Sequence, residues 1–327
     1  MGTVRLATDL AECQSVWERF IPRENLSDLW EVRDCFQRHF HRPPCFIVAE
    51  GSASPSGPVD SAGLVPLSWI EEHGYYGYFP GETWSARTWL EQNRVLADND
   101  AMLQDLLDHC PGPYHLRYLT PSSAAPRSQQ AVDEIGYLFH PPQYDYDIEN
   151  YFQVFSHKSA KRIKKELAEL EAPGVQYRHE DLDDFDRLVD MNLGRFAEGS
   201  YFHDARFRES FRSLLHLFHQ RGSLRLTAVL IGGELAAVDI GCVYGSTYTL
   251  LGGGTHPAYP GVAKLINIHH MKRACTERIQ QVDFLCGDFS WKKLFHLTPR
   301  PLYLVANAAI GAHHHQPVAA ANEACVQ

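Results

Sequence analysis

The sequence predicts an α/β chain of two similar halves, each a mixed β-sheet flanked by helices. Three observations carry this. Apolar residues recur at helical spacing in several segments and form strand-sized blocks between them. The order strand–strand–strand–helix occurs twice. The length, 327 residues, fits two domains at ~150 residues each.

In the first half, 46–50 and 62–70 read as strands joined by a turn-rich stretch at 51–60. A third strand at 75–79 is followed by Pro80-Gly81 and an expected helix over 88–97. Residues 98–110 place Met102, Leu103, Leu106 and Leu107 on one helical face, and 121–127 is a loop.

The second half opens on a helix at 161–171 with Ile163, Leu167 and Leu170. Asp181 can cap the next helix, which carries Leu182, Phe185, Leu188, Val189 and Phe196. A helix over 204–219 presents Phe207, Phe211, Leu214, Leu215 and Phe218. Strands at 224–230 and 235–244 meet at a Gly-Gly turn. A strand at 247–252 then precedes Pro260-Gly261 and a helix over 261–278. A strand at 281–286, a short helix and a strand at 301–306 complete the order. We expect domains at 1–145 and 146–308, with a tail at 309–327.

Composition narrows the function classes. At 44% hydrophobic and 21% charged the chain is an ordinary globular mix. No apolar run approaches the ~18 residues of a membrane helix. The first residues lack the basic-then-apolar order of a signal peptide. The eight cysteines include no C-x-x-C pair, so reduced thiols, a cytoplasmic setting and no membrane insertion are expected. A net charge of −10 does not attract nucleic acid by bulk field. Any phosphate must meet a local cation or main-chain amides.

The segment 250–264, LLGGGTHPAYPGVAK, offers such amides. Glycines let a backbone approach a ligand, and a helix start leaves N–H groups unpaired in a partly positive field. Gly252, Gly253, Gly254, Tyr259, Gly261, Val262 and Ala263 are therefore candidates to hold a diphosphate. A plain strand–helix connection is the other reading.

Asp239 interrupts an apolar strand between the small residues Ala237 and Gly241, so it must be paired or face a cavity. It is a candidate general base or a hydrogen-bond anchor. Asp283 and Asp288 bracket another apolar strand, whose far end is where open α/β sheets place ligands. Asp288 could take a proton or orient an amine, with Lys292 one helical turn on, or the two could form a structural pair.

Lys158, Lys161, Arg162, Lys164 and Lys165 form a basic run that is an anion site or a solvated helix face. Tyr78, Glu82 and Trp84 belong to an aromatic stretch that could line an acceptor cleft between the domains or fill a core. The eighteen histidines show no metal-ligand spacing, so no metal is expected. The absence of G-x-S-x-G argues against a serine hydrolase.

Taken together, the strand order and Tyr259-Pro260-Gly261-Val262-Ala263 resemble the GNAT acyltransferases, whose (Gln/Arg)-x-x-Gly-x-(Gly/Ala) turn holds coenzyme A. Position 258, where that turn carries Gln or Arg, is alanine. The stretch 143–165, the Tyr-Pro-Gly, and Asp283-Phe-Leu-Cys-Gly-Asp288 followed by Lys292 resemble the CelD-like tandem GNAT branch, related to Fem-type aminoacyltransferases. The resemblance covers about 140–306 and reaches the first half through element order.

It implies two tandem GNAT-like domains. It also implies transfer from acyl-CoA, or a similar phosphopantetheine thioester, to a small-molecule or peptide amine. By the same analogy Asn192, Arg195 and Phe196 line the acceptor. The expected assembly is a monomer or homodimer. Aminoacyl-tRNA as donor, and an inactive binding module, are the alternatives.

Overall fold

The computed structural model describes residues 3–50, 63–84, 87–121, 131–287 and 290–307. The described chain forms two units, one from 3–135 with 301–307 and one from 136–300. The tail, the 51–60 stretch, most of the 121–127 loop and Asp288 lie outside the described residues.

In the first unit, β1 (Thr3–Ala7) leads to α1 (Leu10–Phe20) and α2 (Trp30–Phe40). Asp9 caps α1 by accepting from the Glu12 amide at 3.0 Å. β2 (Pro44–Glu50), β3 (Gly63–Ile70) and β4 (Tyr75–Tyr78) follow, giving an antiparallel sheet in the order β1-β2-β3-β4. Then come a short hairpin, β5 (Thr83–Trp84) with β6 (Arg87–Thr88), α3 (Asp100–Asp108) and β7 (His115–Leu119). Tyr114, just before β7, bridges Tyr76 in parallel. Trp17, Phe46, Ile47, Val48, Leu64 and Phe79 are buried in one core. β2 is covered on both faces, which is why it reads as an unbroken apolar run.

The helix expected over 88–97 is not there. The Glu82 carboxylate accepts from the Trp89 and Leu90 amides at 3.1 and 2.7 Å. Further on, Leu96 and Asn93 form bridges to Leu64 and Leu119. These partners satisfy the main chain in an extended path, and Trp89, Leu90 and Val95 are buried from it. The helix of the repeat is α3, which Asn99 caps through the Met102 amide. Nor does Pro80-Gly81 start a helix: the Gly81 amide closes a turn onto the Tyr78 carbonyl.

The chain passes between units inside β8 (Ala131–Phe139) and again inside β14 (Thr298–Ala306). Between them lie α4 (Ile148–Phe152), α5 (His157–Glu171), β9 (Val175–His179), α6 (Asp184–Phe196) and α7 (Ala205–Gln220). β10 (Leu224–Ile231), β11 (Glu234–Tyr244), β12 (Thr247–Thr255), α8 (Val262–Thr276), β13 (Gln281–Cys286) and α9 (Ser290–Leu294) follow. The second unit's strands run β8-β13-β12-β11-β10-β9. β9 to β12 are antiparallel and β12 to β13 parallel, so the first unit's order and sense recur. Phe207, Phe211, Leu214, Leu215 and Phe218 of α7 are buried, as their spacing requires.

Asp181 does not cap α6. Its carboxylate accepts from the Asp183 amide at 3.3 Å, and the helix begins at Asp184, which pairs with Arg178 of β9. Among the described residues no helix is long and apolar enough to cross a membrane, and no disulfide joins the seven cysteines.

Candidate functional site

β12 and β13 begin as paired neighbours and then separate. They meet only at Thr247–Gln281, Tyr248–Val282 and Thr249–Asp283. β12 continues to Thr255, while β13 continues alongside β8. The far wall of the opening is fixed by two charged groups. Asp283, fully buried, holds Arg300 at 2.7 and 3.2 Å and accepts from the Leu285 amide at 2.9 Å. Lys292, buried, donates to the carbonyls of Phe284, Leu285 and Cys286, each at 2.9 Å.

An ammonium has three hydrogens, and three main-chain carbonyls accept from this one. Lys292 therefore holds the curled end of β13, with Leu285 at φ 55°. Asp288, its predicted partner, lies outside the described residues.

The near wall is the glycine strand. The sequence ends this strand at Gly252, yet it runs on to Thr255. Gly252, Gly253 and Gly254 face Ile240, Asp239 and Val238 of β11. The register jumps from Gly241–Leu250 to Ile240–Gly252, leaving Leu251 as a bulge. Glycine is required by close approach rather than by turn geometry. A Cβ on Gly254 would stand 2.7 Å from the Leu188 carbonyl of α6, and one on Gly253 would stand 2.0 Å from Asp239 Oδ1.

α6 grips this strand by its main chain. Asn192 Nδ2 donates to the Gly253 carbonyl at 2.8 Å, and its Oδ1 accepts from Ser200 Oγ at 2.6 Å. One turn on, Arg195 Nη1 donates to Thr255 Oγ1 at 3.0 Å, with its guanidinium 5.6 Å from the Phe196 ring. Tyr201, which the sequence reading missed, brings its hydroxyl to 2.6 Å from the Cβ position of Gly252.

Beyond Thr255 the chain turns into α8. Gly261 takes φ 86°, a region glycine enters without strain. The Val262 amide donates to Tyr259 and the Lys264 amide to Gly261. The Gly261 and Ala263 amides have no acceptor among the described residues. Tyr259 and Ala263 are half-buried and Val262 is buried. Leu170 of α5 lies beside Gly261, and Glu166 pairs with Lys264.

Asp239 is not facing an empty cavity. Its Oδ2 lies 3.0 Å from His270 Nε2, and His270 Nδ1 lies 3.1 Å from the Tyr248 hydroxyl. A carboxylate oxygen accepts, so His270 donates to Asp239 from Nε2, and its Nδ1 faces the Tyr248 hydroxyl. Burial, reinforced by Asp239, pushes the Tyr248 phenol well above its usual range, so it keeps its proton. His270 was not singled out from the sequence. The usable signal was the demand of a carboxylate inside an apolar strand for a partner on the covering helix. The adjacent His269 points elsewhere and stacks on Tyr177 at 3.7 Å.

With this geometry in place, comparison with known families is decisive for the second unit: residues 157–293 match the acetyltransferase (GNAT) domain. This segment is similar to that domain family. No curated protein sequence matches the chain.

The tandem GNAT fold extends over most of the chain. A conserved protein of unknown function from Bacteroides thetaiotaomicron superposes with a TM-score of 0.58 at 12% identity, over 94% of this chain and 100% of its own. FemX superposes at 0.56 and 10% identity, over 93% and 97%. L-PGS from Bacillus licheniformis does so at 0.54 and 9% identity, over 93% and 94%. These likenesses, with the strand order repeated in both units, establish two GNAT-like folds in tandem.

Three candidate acceptor residues lie in the first unit rather than in the GNAT domain. Tyr78 is buried, donates to the Arg94 carbonyl at 2.7 Å, and lies under the Arg33 guanidinium. Burial pushes its phenol to about 12. Glu82 is 1% exposed, and Oε1 accepts from Thr88 Oγ1 at 2.7 Å besides the two amides described above. Burial raises its carboxyl above the ordinary range. Trp84 is half-buried in the β5–β6 hairpin. No group of three or more His, Cys, Asp or Glu side chains among the described residues could hold a metal ion.

Proposed function

We propose that the protein is an N-acyltransferase that moves an acyl group from acyl-CoA, or a similar phosphopantetheine thioester, to an amine. The supporting observation is the pair of amides, Gly261 and Ala263, at the start of α8 that have no acceptor among the described residues. A helix start with free N–H groups is a ready anion site, and these two stand at the end of the strand that borders the opening.

On this reading the donor diphosphate sits on the α8 amides and its pantetheine arm runs in the opening between β12 and β13. The amine attacks the thioester carbonyl. A C–N bond forms, the C–S bond breaks, and the thiolate leaves. Asp239 flanks the glycine strand, and with Oδ2 held by His270, Oδ1 is its oxygen for the amine's proton. Most of the acceleration comes from holding the reactants in line.

Calorimetry with acetyl-CoA tests the proposal. Ala263→Pro removes one free amide while keeping a residue that the first helical turn tolerates. The variant should bind acetyl-CoA about ten-fold more weakly, the equivalent of one charge-assisted hydrogen bond, with little change in unfolding temperature. Equal binding by both proteins, or none by either, contradicts the proposal.

A second reading rests on α5, where exposed Lys158 and Lys161 carry no ion pair among the described residues, unlike Lys164 and Lys165. Aminoacyl-tRNA would then be the donor. Salt-sensitive binding of charged tRNA without binding of acetyl-CoA would select it.

A further inference from the structure

The donor site just proposed has a charge deficit. A diphosphate carries at least two negative charges at neutral pH. The chain from His256 to Ala263 contains no lysine or arginine, and Lys264 is neutralised by Glu166. Two main-chain amides would have to hold the anion alone, in a protein of net charge −10.

One cation at the same end of β12 is uncommitted. Arg195 is half-buried at the last turn of α6. One of its nitrogens rests on Thr255 Oγ1, six residues before Gly261, and no carboxylate lies within ion-pair reach among the described residues. Half-buried arginines elsewhere in this unit are treated differently. Arg206, Arg225, Arg273 and Arg300 each face a carboxylate, and Arg208 donates to the Phe202 and His203 carbonyls. A guanidinium carries five N–H donors in a fixed fork suited to phosphate, and Thr255 takes only one of its edges.

We infer that Arg195 is a phosphate-binding residue for the thioester donor. It supplies from α6 the positive charge that the α8 loop lacks. This rests on the donor reading above and goes beyond it. It moves Arg195 from the acceptor, where the resemblance puts it, to the donor, and it gives the Arg195–Thr255 bond the role of aiming the fork.

Two probes separate the possibilities: acetyl-CoA, and S-acetylpantetheine, which lacks the phosphates. The proteins are the full-length chain, Arg195→Gln and Arg195→Lys. Unfolding temperature confirms that each variant folds. Arg195→Gln should weaken acetyl-CoA about ten-fold or more and leave S-acetylpantetheine within about two-fold. Arg195→Lys should recover part of the loss, because it keeps the charge and loses the fork.

If wild type binds acetyl-CoA and Arg195→Gln binds it equally well, the inference is overturned while the donor reading stands. An equal loss for both probes also overturns it, since the effect then lies outside the phosphates. Failure of wild type to bind acetyl-CoA removes both.

Discussion

Gly253 and Asp239 occupy one another's space. They are cross-strand partners, and the carboxylate sits where a Gly253 side chain would begin. Gly253→Ala should therefore cost about 1–3 kcal/mol of stability, the usual range for overpacking. In an Asp239→Ala background the same change should cost much less, so a double-mutant cycle by denaturant unfolding should show strong coupling. Additive costs would mean that the two residues do not share that space.

The sequence made part of this legible. A lone Asp in an apolar strand had to have a partner or a cavity, and it has a partner. The partner could not be named, because adjacent histidines on a helix differ only in direction, and direction depends on how the helix packs. Lys292 was legible as a special residue, but its role was not. Nothing in Gly-Asp-x-x-x-Lys shows that the preceding strand curls its carbonyls around the ammonium.

At the scale of elements, α8 is held by polar groups along its length: Lys264 to Glu166, His270 to Asp239 and, at its C-cap, Glu277 to Arg225. His269 adds a pH dependence. Burial, with the neighbouring His270, pushes its imidazole down to about 3 from an ordinary 6.5. The unfolded chain therefore binds this proton more readily than the folded one. The stability involved is complete above about pH 6.5 and is lost progressively as pH falls toward 3. His179, packed nearby and also lowered by burial, acts in the same direction. His269→Phe keeps a ring on Tyr177 and removes the proton site. Its unfolding free energy should fall less than that of wild type between pH 7 and pH 5. An identical decline would place the dependence elsewhere.

Helices and strands with strong periodicity were readable, as α7 and β11 show. The expected helix over 88–97 was not a weak pattern but a misleading one. Trp89, Leu90, Val95 and Leu96 sit at near-helical spacing, yet buried Glu82 and the bridges to Leu64 and Leu119 satisfy the main chain in an extended path. The glycine strand failed for a similar reason. Three glycines read as the end of a strand, because local propensity does not register that α6 and Asp239 leave no room for side chains.

For the whole molecule, the repeat was the most useful signal. Strand order and sense recur in both units although the Pro-Gly that suggested the match is not equivalent in them. Element order survives where sequence does not, because it is set by which faces must be buried. The opening between β12 and β13 was partly legible from a strand, a glycine run and a helix start in sequence. Its second wall is fixed within 283–300 by Asp283, Arg300 and Lys292, through a strand end whose curl no residue pattern displays.

Donor binding as proposed depends on two amide hydrogens. A titration of 15N-labelled protein with acetyl-CoA, followed through the Gly261 and Ala263 amide signals, tests it most directly. Both should move downfield together and saturate, as N–H groups do on meeting phosphate oxygens. If acetyl-CoA saturates its site while these two signals stay in place, the donor is held somewhere else and the α8 start is not its anion site.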